Sequence, residues 1–362
     1  MTGEAGTRAP CAHMSIAIMG TGSYLPAEVV GNDQIARTTG VTEEWILRKT
    51  GIRERRRAAP DQATSDLAAE AGRRALARAG IPADRLAYVI VATSTPDHPQ
   101  PATASITQHL LGADRAAAFD VNAVCSGFVF ALAVAENLLR AQEDSYALVV
   151  GADIYSRILD YGDRRTAPLF GDGAGAVVLG PGLGWDGVLG TQLSTDGDHH
   201  GLIRVPAGGS RLPASARTLE QGEHHFRMEG RGVRDYVTRQ LPQAVGRMLD
   251  GLGVAADEVH HFVPHQANGA MLGDIWPSVG LDYTRMHLTV ETQGNTGAGS
   301  IPIALDTVSG AGALRADDLV LLAGFGGGMS IGLALVRWTP ALRGGRGEPR
   351  TVDAALAGHA PA

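Results

Sequence analysis

Cysteine is nearly absent: the 362 residues contain only Cys11 and Cys125. Cys11 sits in the polar stretch MTGEAGTRAPCAH, a poor place for a structural bridge, so no disulfide framework is expected and a reducing compartment fits. Long hydrophobic runs are missing as well. No stretch of about 18 uncharged apolar residues occurs, and the first residues lack the basic segment and apolar core of a secretory signal, which argues against membrane insertion and for a cytoplasmic protein. Blocks of basic residues are absent apart from IRERRRAA, and the formal net charge is −7, which excludes a broad nucleic-acid surface. That block, Arg53 to Arg57, carries four arginines and one glutamate. It reads first as a solvated helix end or loop, and second as a site for an anionic ligand.

What is present is a large apolar complement, 44% of residues, with 48 glycines, enough to bury the core of two domains or of one duplicated unit. SIAIMGTGSYLP opens with a strand and a turn, DLAAEAGRRALARAG repeats apolar positions at helical spacing and stops at glycine, and LAYVIVATST is a near-continuous apolar strand. AVCSGFVFALAVAENLLRA is a helix, and SYALVVGADI and FGDGAGAVVLG follow as further strand runs. Such runs, separated by helices, predict an α/β fold whose sheet is covered on both faces. The scheme restarts with the helix RGVRDYVTRQLPQAVGRML, the strand VHHFVPHQAN, the helix start IPIALDTV and the strand–turn–strand DDLVLLAGFGGGMSIGLALVRW. Two α/β halves are expected, residues 15–185 and 186–338, between a leader at 1–14 and a tail at 339–362 without assigned chemistry.

Residues 196–226 lack periodicity and are rich in turn formers, so they read as loops. His199, His200, His224 and His225 lie there. Two adjacent pairs without an accompanying cysteine fit surface histidines better than a metal site.

Cys125 stands where an apolar strand breaks into a long helix, AAAFDVNAVCSGFVFALAVAENLL. The free N–H groups and positive end of a helix favour thiolate, so this is a candidate nucleophile. His265 in FVPHQAN and Asn295 in ETQGNTGAGS each follow an apolar segment, where strand-end loops commonly place reactive groups. Thiolate attack on a thioester, with neutral His and Asn donating to a carbonyl oxygen that becomes negative, suits acyl-thioester chemistry. The tight turn at Gly326, Gly327 and Gly328 in GFGGGMS can expose backbone N–H groups to such an oxygen, although a plain β-turn has the same composition. MGTGSYLP and FGDGAGAVV lack the G-x-G-x-x-G of a dinucleotide fold.

In order along the chain, GTGSYLP, EEWI, KTGIRERR, AVCSGF, FGDGAGAVVL, VPHQAN, GNTGAGSIPIAL and GFGGGMSIGLALVRW resemble a β-ketoacyl-acyl carrier protein synthase III of the thiolase superfamily, from about Ser15 to Trp338. The resemblance implies a duplicated five-layered αβαβα fold, a homodimer, a pantetheine tunnel, no required cofactor, and a Cys125–His265–Asn295 triad. It implies ping-pong chemistry: an acyl group passes from acyl-CoA to Cys125, coenzyme A departs, and a malonyl-CoA or malonyl carrier protein loses carbon dioxide and attacks the acyl-enzyme.

By the same resemblance Trp45 stacks on the adenine, Arg164 lies on its other face, and Phe170 lies close to the tunnel, although a core aromatic is an equal reading. Lys49 stands where the family usually has an arginine, which keeps a point charge for phosphate and loses the planar fork. Gln100 replaces an aromatic that shapes the acyl pocket across the dimer interface. Ala270 stands where an arginine commonly supports carrier-protein docking, and Gly269 replaces a larger apolar residue. These departures bring forward a specialised-metabolism relative. The alternative is an acyltransferase that delivers the acyl group to a small-molecule hydroxyl or amine, with His265 as general base. A non-enzymatic acyl-CoA-binding or assembly protein on the same fold would leave the triad without a purpose.

Overall fold

Runs such as LAYVIVA and YALVVGADI can be strands only where both faces of a sheet are covered, because their side chains alternate between two apolar environments. The structure, a computed structural model, describes residues 15–339 except 143, 183, 185 and 283. Cys11, the leader to residue 14 and the tail from residue 340 lie outside the described residues.

The chain begins with β1 (Ile16–Tyr24), β2 (Glu28–Gly31), α1 (Asn32–Thr39), α2 (Glu43–Thr50), β3 (Glu54–Arg57) and α3 (Thr64–Ala79). It continues through β4 (Leu86–Ala92), α4 (Thr103–Leu111), β5 (Ala117–Val121), α5 (Gly127–Arg140), β6 (Tyr146–Ile154) and β7 (Asp172–Pro181). Next come β8 (Gly187–Thr195), β9 (Ile203–Arg204), α6 (Ala216–Glu220), β10 (Arg227–Met228), α7 (Gly230–Leu252) and β11 (Val259–Pro264). The last elements are α8 (Gly269–Ile275), β12 (Arg285–Met286), α9 (Val290–Gln293), α10 (Ser300–Gly310), β13 (Leu319–Gly326) and β14 (Ser330–Arg337).

Two five-stranded sheets form, in the orders β5-β4-β6-β7-β1 and β12-β11-β13-β14-β8. Their strand senses match position for position: the first two neighbouring pairs are parallel and the next two antiparallel in each. The fold is therefore a duplication. The strand–helix junction after β5, which carries Cys125, corresponds to the junction after β12, which carries Asn295.

Alternation along the strands sorts the cores into layers. Ile90, Val149 and Val177 of the first sheet and Val263, Leu322 and Ala334 of the second face one shared core with Phe128 and Leu132 of α5 and Ile301 and Leu305 of α10. On the outer face of the first sheet Val89, Val91 and Leu148 meet Leu67, Ala71 and Ala75 of α3. On the outer face of the second, Leu321, Phe325 and Leu333 meet Val237, Leu241 and Met248 of α7. The layers run helix, sheet, helix, sheet, helix.

Two expectations change. Residues 196–226 are not plain loops, because a 3₁₀ segment (Gly197–Leu202), β9 and the short α6 order parts of them. The arginine run is not a helix end, and beyond exposed Arg53 it is not a loop. Residues 54–57 form β3, paired with β2, and Arg55 is buried. Among the described residues no helix is long and apolar enough to cross a membrane, and no group of three or more His, Cys, Asp or Glu stands where it could hold a metal.

The central layer bears on stability most directly. Leu132, fully buried between the sheets, has little room to collapse around a void. Leu132→Ala is expected to destabilise the protein by about 2–5 kcal/mol in a denaturant titration, whereas a change near zero would mean the layers are not packed as described.

Candidate active site

Cys125 lies in a 3₁₀ turn, Val124–Ser126, between β5 and α5, so the strand does not run straight into the helix. Val124 has φ +49°, a left-handed conformation unfavourable to a β-branched residue, costing of order 1–3 kcal/mol. That turn aims Cys125 at the second sheet. Gly326, the last residue of β13, meets it there: a Cβ on Gly326 would stand 2.8 Å from Cys125 Cβ and 3.1 Å from its backbone nitrogen. Ser126 and Ser330 hold the two segments together, their Oγ atoms 2.7 Å apart.

His265 follows β11, its N–H donating to Ala323 O of the neighbouring strand at 2.8 Å. Its Nδ1 lies 2.7 Å from Ser300 Oγ, and the Gln266 N–H also points to that oxygen at 3.4 Å. Donation from the serine hydroxyl to Nδ1 would put the ring hydrogen on Nε2. Asn295 is locked by its backbone, its N–H donating to Leu169 O at 2.8 Å and its carbonyl accepting from Gly171 N–H at 3.0 Å. Its Oδ1 accepts from Gly297 N–H at 2.9 Å, and its Nδ2 lies 3.4 Å from Ala267 O, which leaves an amide hydrogen for a ligand.

Cys125, His265 and Asn295 converge on one cavity of about 260 Å³, together with Gly326. Trp45, Lys49 and Arg164 line the same cavity at its exposed rim, Trp45 half-buried and partly packed against the small apolar cluster of Val30, Ile35 and Ile46. Gly327 and Gly328 do not line it. They form the turn after β13, where Gly327 packs against Val124. Phe170 and Phe226 form an inner wall, and Tyr155 stacks on Phe170 with ring centroids 4.4 Å apart. Ala270 lines the cavity, whereas Gln100 is exposed away from it.

Burial dominates the electrostatics. Cys125 is 5% exposed, and its pKa is pushed up to about 12, first by desolvation and then by the nearby Asp153 carboxylate. The thiolate expected from a helix terminus is therefore overruled in the free protein: removing the charge from water outweighs the backbone dipoles. His265, 2% exposed, is pushed down to about 3 by the same desolvation and stays neutral. Asp153, fully buried, accepts at Oδ1 from Thr93 Oγ1, Ser94 N and Oγ, and Thr95 Oγ1, and at Oδ2 from Ala298 N–H. It ties the ends of β4 and β6 to the Asn295 loop. Burial raises its own pKa.

Ser300, Asp153, Tyr155 and Phe226 escape a reading by motif. Ser300 stands five residues after Asn295 in GNTGAGS, and Asp153 is the one acidic residue in the apolar strand YALVVGADI. An isolated acid in such a run was the available signal.

The raised thiol pKa has a measurable sign. Below its folded pKa Cys125 is protonated, so alkylation of the free protein by iodoacetamide should keep rising through and beyond about pH 9, the range where an ordinary thiol levels off. A plateau at or below neutral pH would show a stabilised thiolate instead.

The chain is similar to known proteins over most of its length. Residues 119–197 match the family 3-oxoacyl-[acyl-carrier-protein (ACP)] synthase III, and residues 249–338 match its C-terminal counterpart. The chain is 55% identical over 323 residues to acetoacetyl CoA synthase NphT7 of Streptomyces sp. (strain CL190), covering 89% of this chain and 98% of that protein. It is 45% identical over 325 residues to the β-ketoacyl-[acyl-carrier-protein] synthase III of Rhodospirillum centenum, covering 89% and 98%. The crystal structure of 3-oxoacyl-(acyl carrier protein) synthase III from Pseudomonas aeruginosa PAO1 superposes with a TM-score of 0.81 at 38% identity, covering 90% of this chain and 98% of that one. With its duplicated five-layered fold and these relatives matched over nearly their whole length, the chain belongs to the 3-oxoacyl-(acyl carrier protein) synthase III family of thiolase-fold condensing enzymes.

Proposed function

We propose that this enzyme loads a short acyl group, in the first place acetyl, from coenzyme A onto Cys125 and condenses it with malonyl-CoA, releasing carbon dioxide and a β-ketoacyl-CoA. The observation that carries the reading is the single cavity with Cys125, His265 and Asn295 at its inner end and Trp45, Lys49 and Arg164 at its rim. The likeness to a protein named acetoacetyl CoA synthase supports an acetoacetyl product carried on coenzyme A, and Ala270, which offers an acidic carrier protein no charge at the rim, fits a coenzyme A-borne acceptor. The aromatic wall of Phe170 and Phe226, backed by Tyr155, supports a small acyl group.

In the first step Cys125 Sγ bonds to the thioester carbon, the carbon–sulfur bond to coenzyme A breaks, and the thiol proton ends on the departing sulfur. The oxyanion that forms in between faces the backbone N–H groups of Cys125 and Gly326. In the second step the malonyl carboxylate leaves as carbon dioxide, and its bonding pair becomes an enolate. Nε2–H of His265 and the Asn295 amide donate to the enolate oxygen, and they gain strength as charge builds at the buried inner end of the cavity. The carbon attacks the acyl-enzyme carbonyl, the carbon–sulfur bond to Cys125 breaks, and the thiolate, whose thiol has a pKa near 12, takes a proton from solvent. A neutral imidazole with a pKa near 3 is a good neutral donor and a poor general base, which favours condensation over acyl transfer to a hydroxyl or amine.

A homodimer fits the same reading. β5 is the outer strand of the first sheet, and exposed Gln100 stands three residues before Thr103, whose N–H reaches Asp120 of β5 at 2.7 Å.

Intact-protein mass spectrometry tests the two steps separately. Acetyl-CoA should add an acetyl mass to the native protein and none to Cys125→Ala. His265→Ala and Asn295→Ala should keep that acylation while β-keto product formation with malonyl-CoA falls by about 100-fold or more. Acylation without any β-keto product, discharged intact onto an alcohol or amine, would replace the proposal with an acyltransferase.

A further inference from the structure

The arginine run has no part in the cavity, yet one of its members is among the most buried charges of the fold. Arg55, on β3, is 2% exposed. Its Nη2 donates to Pro168 O at 2.7 Å, and its Nη1 donates to Asn32 Oδ1 at 2.9 Å and to Val30 O at 3.2 Å. These acceptors are all neutral. A buried guanidinium held by carbonyls and one amide serves geometry more than charge neutralisation.

The segment it grips is the one that locks Asn295. Pro168 precedes Leu169, whose carbonyl accepts the Asn295 N–H, and Gly171 N–H returns a bond to the Asn295 carbonyl. The two backbones of this clamp also lie against the arginine stem. A Cβ on Gly171 would stand 2.9 Å from Arg55 Cβ, and one on Gly294 would stand 3.0 Å from it, with Gly294 at φ +66°. Beside it Arg53, the residue before β3, donates its N–H to Glu291 O of α9 at 2.8 Å, and the two side chains pair as well, so the chain entering β3 also holds the helix that leads to Asn295.

We propose that Arg55 is a positioning residue for Asn295, setting the 168–171 and 293–295 backbones so that the Asn295 amide meets the enolate oxygen, and that it serves condensation and not acylation. The proposal rests on the role of Asn295 given above. Cys125 stands on the separate β5–α5 junction, packed against Gly326 and fixed through the Ser126–Ser330 pair.

A lysine at position 55 keeps the charge and loses the fork that reaches Pro168 and Asn32 together. Arg55→Lys and Arg55→Met should accept acetyl from acetyl-CoA within about twofold of the native rate, while β-keto product formation falls at least about tenfold. Arg55→Lys combined with Asn295→Ala should fall no further than Asn295→Ala alone, to within about twofold, because both act through one amide. Equal loss of both steps in Arg55→Lys and Arg55→Met, or a double variant whose loss is the product of the single losses, would overturn the proposal. Native condensation in Arg55→Lys with Asn295→Ala impaired would sink the positioning role alone. Native condensation in Asn295→Ala would sink the reading of Asn295 itself.

Discussion

Helices α5 and α10 must be covered on two sides, and each is covered by a different sheet. Phe128 and Leu132 of α5 and Ile301 and Leu305 of α10 share one core with inward-facing residues of both sheets. Because the sheets repeat the same order and sense, burying this pair of helices brings equivalent strand–helix junctions together at the middle of the molecule. One junction carries Cys125 and the other Asn295, with His265 entering from the end of β11. The meeting of distant residues is thus a product of hydrophobic layering, and the polar chemistry occupies the place where the layers join.

That location sets the chemistry. Far from water, a thiol and an imidazole both favour their neutral forms, and the Asp153 carboxylate opposes a thiolate further. In the proposed reaction, a charge that develops only in the transition state meets fixed donors: backbone N–H groups beside Cys125, Nε2–H of His265 held by Ser300, and the Asn295 amide held by its backbone. On this proposal the reacting groups carry no charge at rest, and charge is stabilised when it forms. Precise placement of neutral donors then matters more than acid strength, and buried groups outside the cavity, Asp153 and Arg55 among them, gain a bearing on the reaction.

Apolar runs made the strands and their two-sided burial legible, and the family motifs led to the residues that converge in the cavity. Periodicity failed where polar residues are buried for geometric reasons. Four arginines in five residues look like a solvated surface, and nothing local reveals that Arg55 turns inward onto a carbonyl more than a hundred positions away. The position of Cys125 before a helix was readable, but the balance between helix dipole and desolvation depends on how deeply the layers bury it. Gly327 and Gly328 share the composition of Gly326, and only the close approach to Cys125 separates the residue in the cavity from its neighbours in the turn.

The central claim is decarboxylative condensation through an acyl-Cys125 intermediate, and carbon stoichiometry tests it most directly. Malonyl-CoA labelled with ¹³C in the free carboxylate, supplied with acetyl-CoA and the native enzyme, should release one labelled carbon dioxide for each unlabelled β-ketoacyl-CoA formed, with neither produced by Cys125→Ala. Acetyl groups consumed without labelled carbon dioxide, or a product that retains the label, would contradict the account.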